Sequence, residues 1–125
     1  MQIFGGGLVG AVLPIITSAG IAKMKDTELE NAYGIIGQMK VAEGKRDELI
    51  SILAKGTRNM PGNLSYAISK DMNDENAIWI TKYWETKDAH TASLQLESVQ
   101  EAIGKGRSMI NGFGHRFEVA PVAGM

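Results

Sequence analysis

The stretch Ala77-Ile78-Trp79-Ile80-Thr81-Lys82-Tyr83-Trp84 decides the fold. β-Branched and aromatic side chains crowd a run of this length when the backbone is extended, because they suit a pleated, half-buried surface. Period two places Ile78, Ile80 and Trp84 on one face, and Trp79 and Tyr83 on the other. Immediately upstream, residues 71–76 are polar and long enough for a hairpin connection. Before them, residues 64–70 alternate Leu64, Tyr66 and Ile68 with Ser65, Ala67 and Ser69, which predicts the partner strand. Asn59-Met60-Pro61-Gly62-Asn63 leads into it as a turn.

Further upstream, Leu49, Ile52, Leu53 and Gly56 recur at helical spacing within residues 45–58, and Asp47 and Glu48 sit where a helix N-terminus favours acidic groups. Tyr33–Val41 sets Tyr33, Ile35, Met39 and Val41 on one face of a first strand. Downstream of Trp84, Thr86 or Asp88 is placed to cap a helix carrying His90 and Leu94. A second helix is expected over residues 96–111 with Val99, Ile103 and Ile110 inward; Gly104 and Gly106 weaken it, and a close packing contact would account for them. Phe113, His115, Phe117 and Val119 then alternate as a closing strand, ended by Pro121. The order β-α-β-β-α-α-β predicts an α+β domain of the ferredoxin-like, split βαβ kind, with an antiparallel four-stranded sheet and helices on one face. The uncovered face of such a sheet needs a partner, so a homodimer is expected.

The expected organisation is an apolar segment over residues 1–24, a linker over 25–32, the ferredoxin-like domain over 33–121 and a tail over 122–125. Thirteen basic and 14 acidic side chains give a net charge of −1, which leaves no basic footprint for nucleic acid. The absence of cysteine excludes disulfides, thiolate nucleophiles and Cys-ligated metals. No local cluster proposes a metal site around either of the two histidines.

Every charged side chain lies from Lys23 onward. Residues 3–22 match the roughly 20 apolar residues that span a bilayer. Four readings fit this segment: an export signal, a retained anchor held by Lys23 and Lys25, an extension preceding Met24, or an ordered packing arm. Membrane contact is expected only through residues 3–22, and localisation stays open. Gly5, Gly7 and Gly10 match the dinucleotide pattern G-x-G-x-x-G, but only four residues precede Gly5 and Pro14 interrupts the expected helix, so no nucleotide is assigned.

Chemistry is expected between the sheet and the helices. Tyr66, Trp79, Tyr83 and Trp84, with Met39 and Met109, would line a pocket suited to a flat aromatic ligand, although each ring also fits a plain core role. His90 is placed to exchange a proton at the pocket edge. Arg107 and Arg116 are candidates for holding an anionic oxygen, and His115 faces either the core or a dimer contact.

Several segments together, YGIIGQMKV, GKRDELI, MPGNLSY, AIWITKYWETKDAH and the GF before the last strand, resemble the antibiotic biosynthesis monooxygenase superfamily, in particular its small quinol-monooxygenase-like members. The resemblance covers residues 33–121. It implies a homodimeric α+β barrel with one buried pocket per subunit, and oxidation of a quinol, anthrone or similar polyphenol by O2 without flavin, haem or metal. On that reading Trp84 shapes the pocket and donates its indole N–H, and His90 takes the phenolic proton. Tyr66, Trp79 and Tyr83 make ring contacts with the substrate.

The sequence also departs from the family. Ser93 stands where many relatives carry a histidine, and Ile80 where anthrone oxidisers carry an asparagine. The first strand lacks the asparagine of haem-degrading relatives, which demotes a haem-handling role. The alternative to an enzyme is a non-catalytic, small-aromatic-binding or stress-response module of the same fold.

Overall fold

Four runs of alternating side chains and three helical stretches assemble as the sequence order requires. The computed structural model describes residues 29–125. The elements are β1 (Tyr33–Val41), α1 (Arg46–Gly56), β2 (Asn63–Lys70), β3 (Ala77–Trp84), α2 (Lys87–Ser93), α3 (Glu97–Gly106), a 3-10 turn (Arg107–Met109) and β4 (Ile110–Val119). The sheet order is β2-β3-β1-β4 with every neighbouring pair antiparallel, the ferredoxin-like arrangement. The readings of residues 1–24, with the glycine pattern and the membrane contact, lie outside the described residues. At the end of the expected linker, Leu29 and Ala32 are already buried and share a turn in which the Ala32 N–H donates to the Leu29 carbonyl. No described helix is long and apolar enough to cross a membrane.

The core lies between the helices and one sheet face. Val41, Leu49, Leu53, Ile78 and Ile80 form one cluster, and Met60, Trp84 and Val99 a second nearer α2 and α3. Within α1 the inward residues are Leu49, Ile50 and Leu53; Ile52, expected inward, turns toward a groove beside α3 instead. Helices α1 and α3 cross closely at Gly56, where a Cβ would stand 2.5 Å from the Cβ of Ala102. The turn before β2 forms as its residues require, with Asn59 and Gly62 both at positive φ (57° and 77°). The Thr86 hydroxyl caps α2 by accepting from the Ala89 N–H at 3.0 Å.

Two expectations need correction. The last helix does not reach residue 111: it ends at Gly106, turns through Arg107–Met109, and Ile110 already pairs with Val41 in the sheet. Gly106 makes the close packing contact expected of one of the two glycines: a Cβ there would meet the Leu49 side chain at 2.8 Å. Gly104 has open space around it and only weakens the helix.

The second correction concerns β4, which does not alternate simply. The register slips between Gly37 and Met39, leaving Gly114 against the Gln38 side chain. Such a bulge swaps faces along the strand. Phe113 therefore pairs with Met39 on the helix side, whereas His115 and Phe117 lie on the outer face.

Candidate functional site

Strand β3 alternates Ile78, Ile80 and Trp84 toward the helices, and Lys82 takes the same face. Strand β1 contributes Tyr33, Ile35 and Met39, α2 lowers His90 over them, and β4 closes the side with Phe113, Arg116 and Glu118. Together they bound two adjacent spaces. An inner chamber of about 300 Å³ is walled by Leu53, Met60, Tyr66, Trp84, Val99 and Ile103. An outer vestibule of about 240 Å³ opens past His90, His115 and Arg116. Met39, Ile80, Lys82 and Phe113 belong to both walls, so Lys82 stands where the two spaces adjoin.

Trp84 is fully buried, yet among the described residues its indole Nε1–H has no acceptor. Leaving such a donor unpaired in a folded protein costs about 1–3 kcal/mol. The His90 ring stands edge-on to Trp84 with centroids 5.6 Å apart, and Tyr33 flanks it at the same separation. Burial, then the cationic Lys82 and Arg116, push the His90 pKa down to about 4, with Glu118 opposing them. His90 is therefore a neutral imidazole at pH 7.

Lys82 is half-buried, with its ammonium 5.8 Å from the centroid of the Tyr66 ring. Burial and the neighbouring Arg116 both lower its pKa. Burial pushes the Tyr66 phenol up to about 12, so it stays protonated. At the rim, the Tyr33 hydroxyl donates to Glu118, which also pairs with Lys87 at 3.7 Å. Those partners, Tyr33 first, hold the Glu118 carboxyl below its ordinary range.

The residues proposed from sequence divide cleanly. Trp84, His90, Tyr66 and Met39 meet at this cavity. Trp79 and Tyr83 do not line it. The indole N–H of Trp79 donates to Asp71 at 2.8 Å and its ring stacks on His115, while Tyr83 covers Gly34. Both follow from the pleat, which turns alternate residues of β3 away from the helices. Met109 packs against the first core cluster without reaching the cavity, and Arg107 is exposed on the 3-10 turn. Arg116 is the arginine that reaches the site. Lys82 carried a legible signal, a lysine in step with Ile78, Ile80 and Trp84, whereas Phe113 depended on the bulge. Ser93 lines the inner chamber, and its hydroxyl turns back to donate to the His90 carbonyl at 2.6 Å.

Among the described residues no group of three or more His, Cys, Asp or Glu side chains is positioned to hold a metal ion. The arrangement is an apolar chamber beside an N–H donor unpaired among the described residues, a neutral imidazole and two cations.

A family model described as "Antibiotic biosynthesis monooxygenase" matches residues 32–105. Among solved structures, a Chloroflexus aurantiacus J-10-fl protein titled "putative Antibiotic biosynthesis monooxygenase" is 46% identical. That alignment has a TM-score of 0.74 and covers 76% of this chain and 97% of the other. A Caulobacter crescentus CB15 protein with the same description aligns at TM-score 0.65 and 18% identity, over 76% of this chain and 93% of the other. A conserved Methanosarcina mazei Go1 protein aligns at 0.66 and 9%, over 74% and 95%. At these lower identities the likeness is one of fold. No curated protein matches the sequence. The family match and the names of its neighbours support a monooxygenase-like function on a small molecule. The chain belongs to the antibiotic biosynthesis monooxygenase family.

Proposed function

We propose that the protein oxidises a quinol, anthrone or similar polyphenol with O2, the substrate itself supplying the electrons. The observation that carries this reading is the buried Trp84 Nε1–H, a donor with no acceptor among the described residues, on a side chain that borders an apolar chamber sized for a small aromatic. A phenolic oxygen is the partner that satisfies it while the ring fills the chamber.

The electrostatics favour the deprotonated ring. A phenol with a pKa of about 10 lies roughly 6 units above His90, about 8 kcal/mol uphill for a direct proton transfer. His90 alone is thus too weak a base. A phenolate forming near Lys82 gains about 4 kcal/mol at a 4 Å separation and an effective dielectric of 20, and Arg116 adds to this. The two cations stabilise the anion, Trp84 orients it, and the neutral imidazole accepts the proton as the charge develops. The electron-rich ring then reduces O2. One oxygen atom enters the ring and the other leaves as water, so naphthoquinol plus O2 gives hydroxynaphthoquinone plus H2O.

The test is oxygen uptake by chelator-treated full-length protein with reduced 1,4-naphthoquinol, measured against the autoxidation blank. Uptake above the blank is expected, with one atom from 18O2 in the product. In Trp84→Phe the rate falls by roughly 100- to 1,000-fold, the scale of losing one fixed donor to a developing oxyanion. The variant should remain folded, because Phe keeps the ring packing and removes an unsatisfied N–H. No uptake above the blank overturns the quinol reading, and ring binding without turnover would assign the chain to the non-catalytic alternative.

A further inference from the structure

The charge at the cavity exceeds what a single phenolate can balance. Lys82 and Arg116 both face the space in front of His90, and among the described residues neither has a carboxylate at ion-pair distance. Glu118, the nearby acid, feels the charge of Arg116, but its direct partners are the Tyr33 hydroxyl and Lys87, so it offsets Arg116 only in part. Lys82 loses hydration in its half-buried position, and the charge of the exposed Arg116 nearby adds repulsion. One deprotonated hydroxyl offsets one of them.

We infer that the ligand of this site is a hydroxylated aromatic ring that also bears a carboxylate, with Lys82 and Arg116 as its specificity-determining residues. The proposal rests on the reading that this cavity is the ring-binding site. The layout fits a ring seated in the inner chamber with its hydroxyl toward Trp84 and its carboxylate where the two spaces adjoin. There Lys82 borders both spaces and Arg116 closes the outer one. Arg116 supplies a planar fork suited to a carboxylate, and Lys82 a point charge whose aliphatic stem lies along apolar wall. The burial and mutual repulsion that lower the Lys82 pKa are the costs that such an anion would relieve.

Two redox-inert probes of one shape separate the possibilities: 1-hydroxy-2-naphthoate, and 1-naphthol, which lacks the carboxylate. Affinities are measured by quenching of tryptophan fluorescence and by calorimetry, using full-length protein. The expected result is that the naphthoate binds at least tenfold more tightly than the naphthol. Lys82→Met, which keeps an unbranched apolar side chain at that position, and Arg116→Gln should each reduce that preference, the ratio of the two affinities, several-fold. Thermal melts serve to confirm that both variants fold. Equal affinity for the two probes in the wild type would overturn the proposal but leave the ring-binding reading intact. Failure of both probes to bind would overturn both. A wild-type preference that survives in both variants would also overturn the proposal, because the carboxylate would then be held elsewhere.

Discussion

Trp84 buries its whole ring against Met60 and Val99 and still leaves one polar atom unanswered, whereas Trp79 on the same strand has its N–H accepted by Asp71. The contrast between two tryptophans five residues apart is what the proposed role of Trp84 as a ligand contact rests on. His90 can be tested through its titration. Its folded pKa is depressed to about 4 from an ordinary 6.5, so the unfolded chain binds the proton more readily. Stability from the neutral imidazole is complete above pH 6.5 and is lost as pH falls toward 4. Melting temperature should therefore drop more steeply between pH 7 and 4.5 in the wild type than in His90→Gln. The difference between the two proteins isolates His90 from Asp71, Asp74 and Glu118, whose lowered pKa values also destabilise the fold in acid. Parallel curves would place His90 in ordinary solvent.

At the scale of elements, the two glycines of α3 look alike in the sequence and differ in the fold. Gly104 borders open space, so Gly104→Ala should stabilise by about 0.5–1 kcal/mol through helix propensity. Gly106 lies 2.8 Å, measured from its would-be Cβ, from the fully buried Leu49, so Gly106→Ala should cost about 1–3 kcal/mol in overpacking. Chemical denaturation of the two variants reads both signs; a stabilising Gly106→Ala would mean that Leu49 yields. The end of α3 was not readable from periodicity: Ile110 falls on the helical face pattern of Val99 and Ile103, but pairs with Val41 in the sheet instead. The bulge in β4 is a similar case. The Gln38 side chain donates to Asp71 at 3.0 Å and occupies the place where a side chain at residue 114 would go. This turns Phe113 into the cavity, a choice made by strand β1 and not by β4 itself.

For the whole molecule, the outer sheet face carries Trp79, His115 and Phe117 as a stacked row, with Phe117 53% exposed. Exposed aromatics in such a row mark a contact surface. We expect a homodimer formed through this face, and Phe117→Glu should shift the mass measured by light scattering toward the monomer at micromolar protein. A wild-type monomer, or a dimer indifferent to that substitution, would refute the assignment. The helix-side cavity has its own walls within one chain, so the variant is expected to keep ring binding.

Sequence alone determined the number and order of the elements, the two alternating faces of β1, β2 and β3, and the placing of His90 just past Trp84 at the start of a helix. These follow from period-two and helical alternation, in which each residue's direction depends on its near neighbours. Only tertiary structure decided the rest. That Trp79 hands its N–H to Asp71, that Trp84 keeps its own unpaired among the described residues, and that the β4 bulge brings Phe113 to the cavity are consequences of contacts between strands far apart in the chain. The same holds for Lys82 and Arg116, brought together on β3 and β4 with the nearest acid already engaged. Local periodicity assigns a face; whether a polar group on that face finds a partner is settled only when the elements pack.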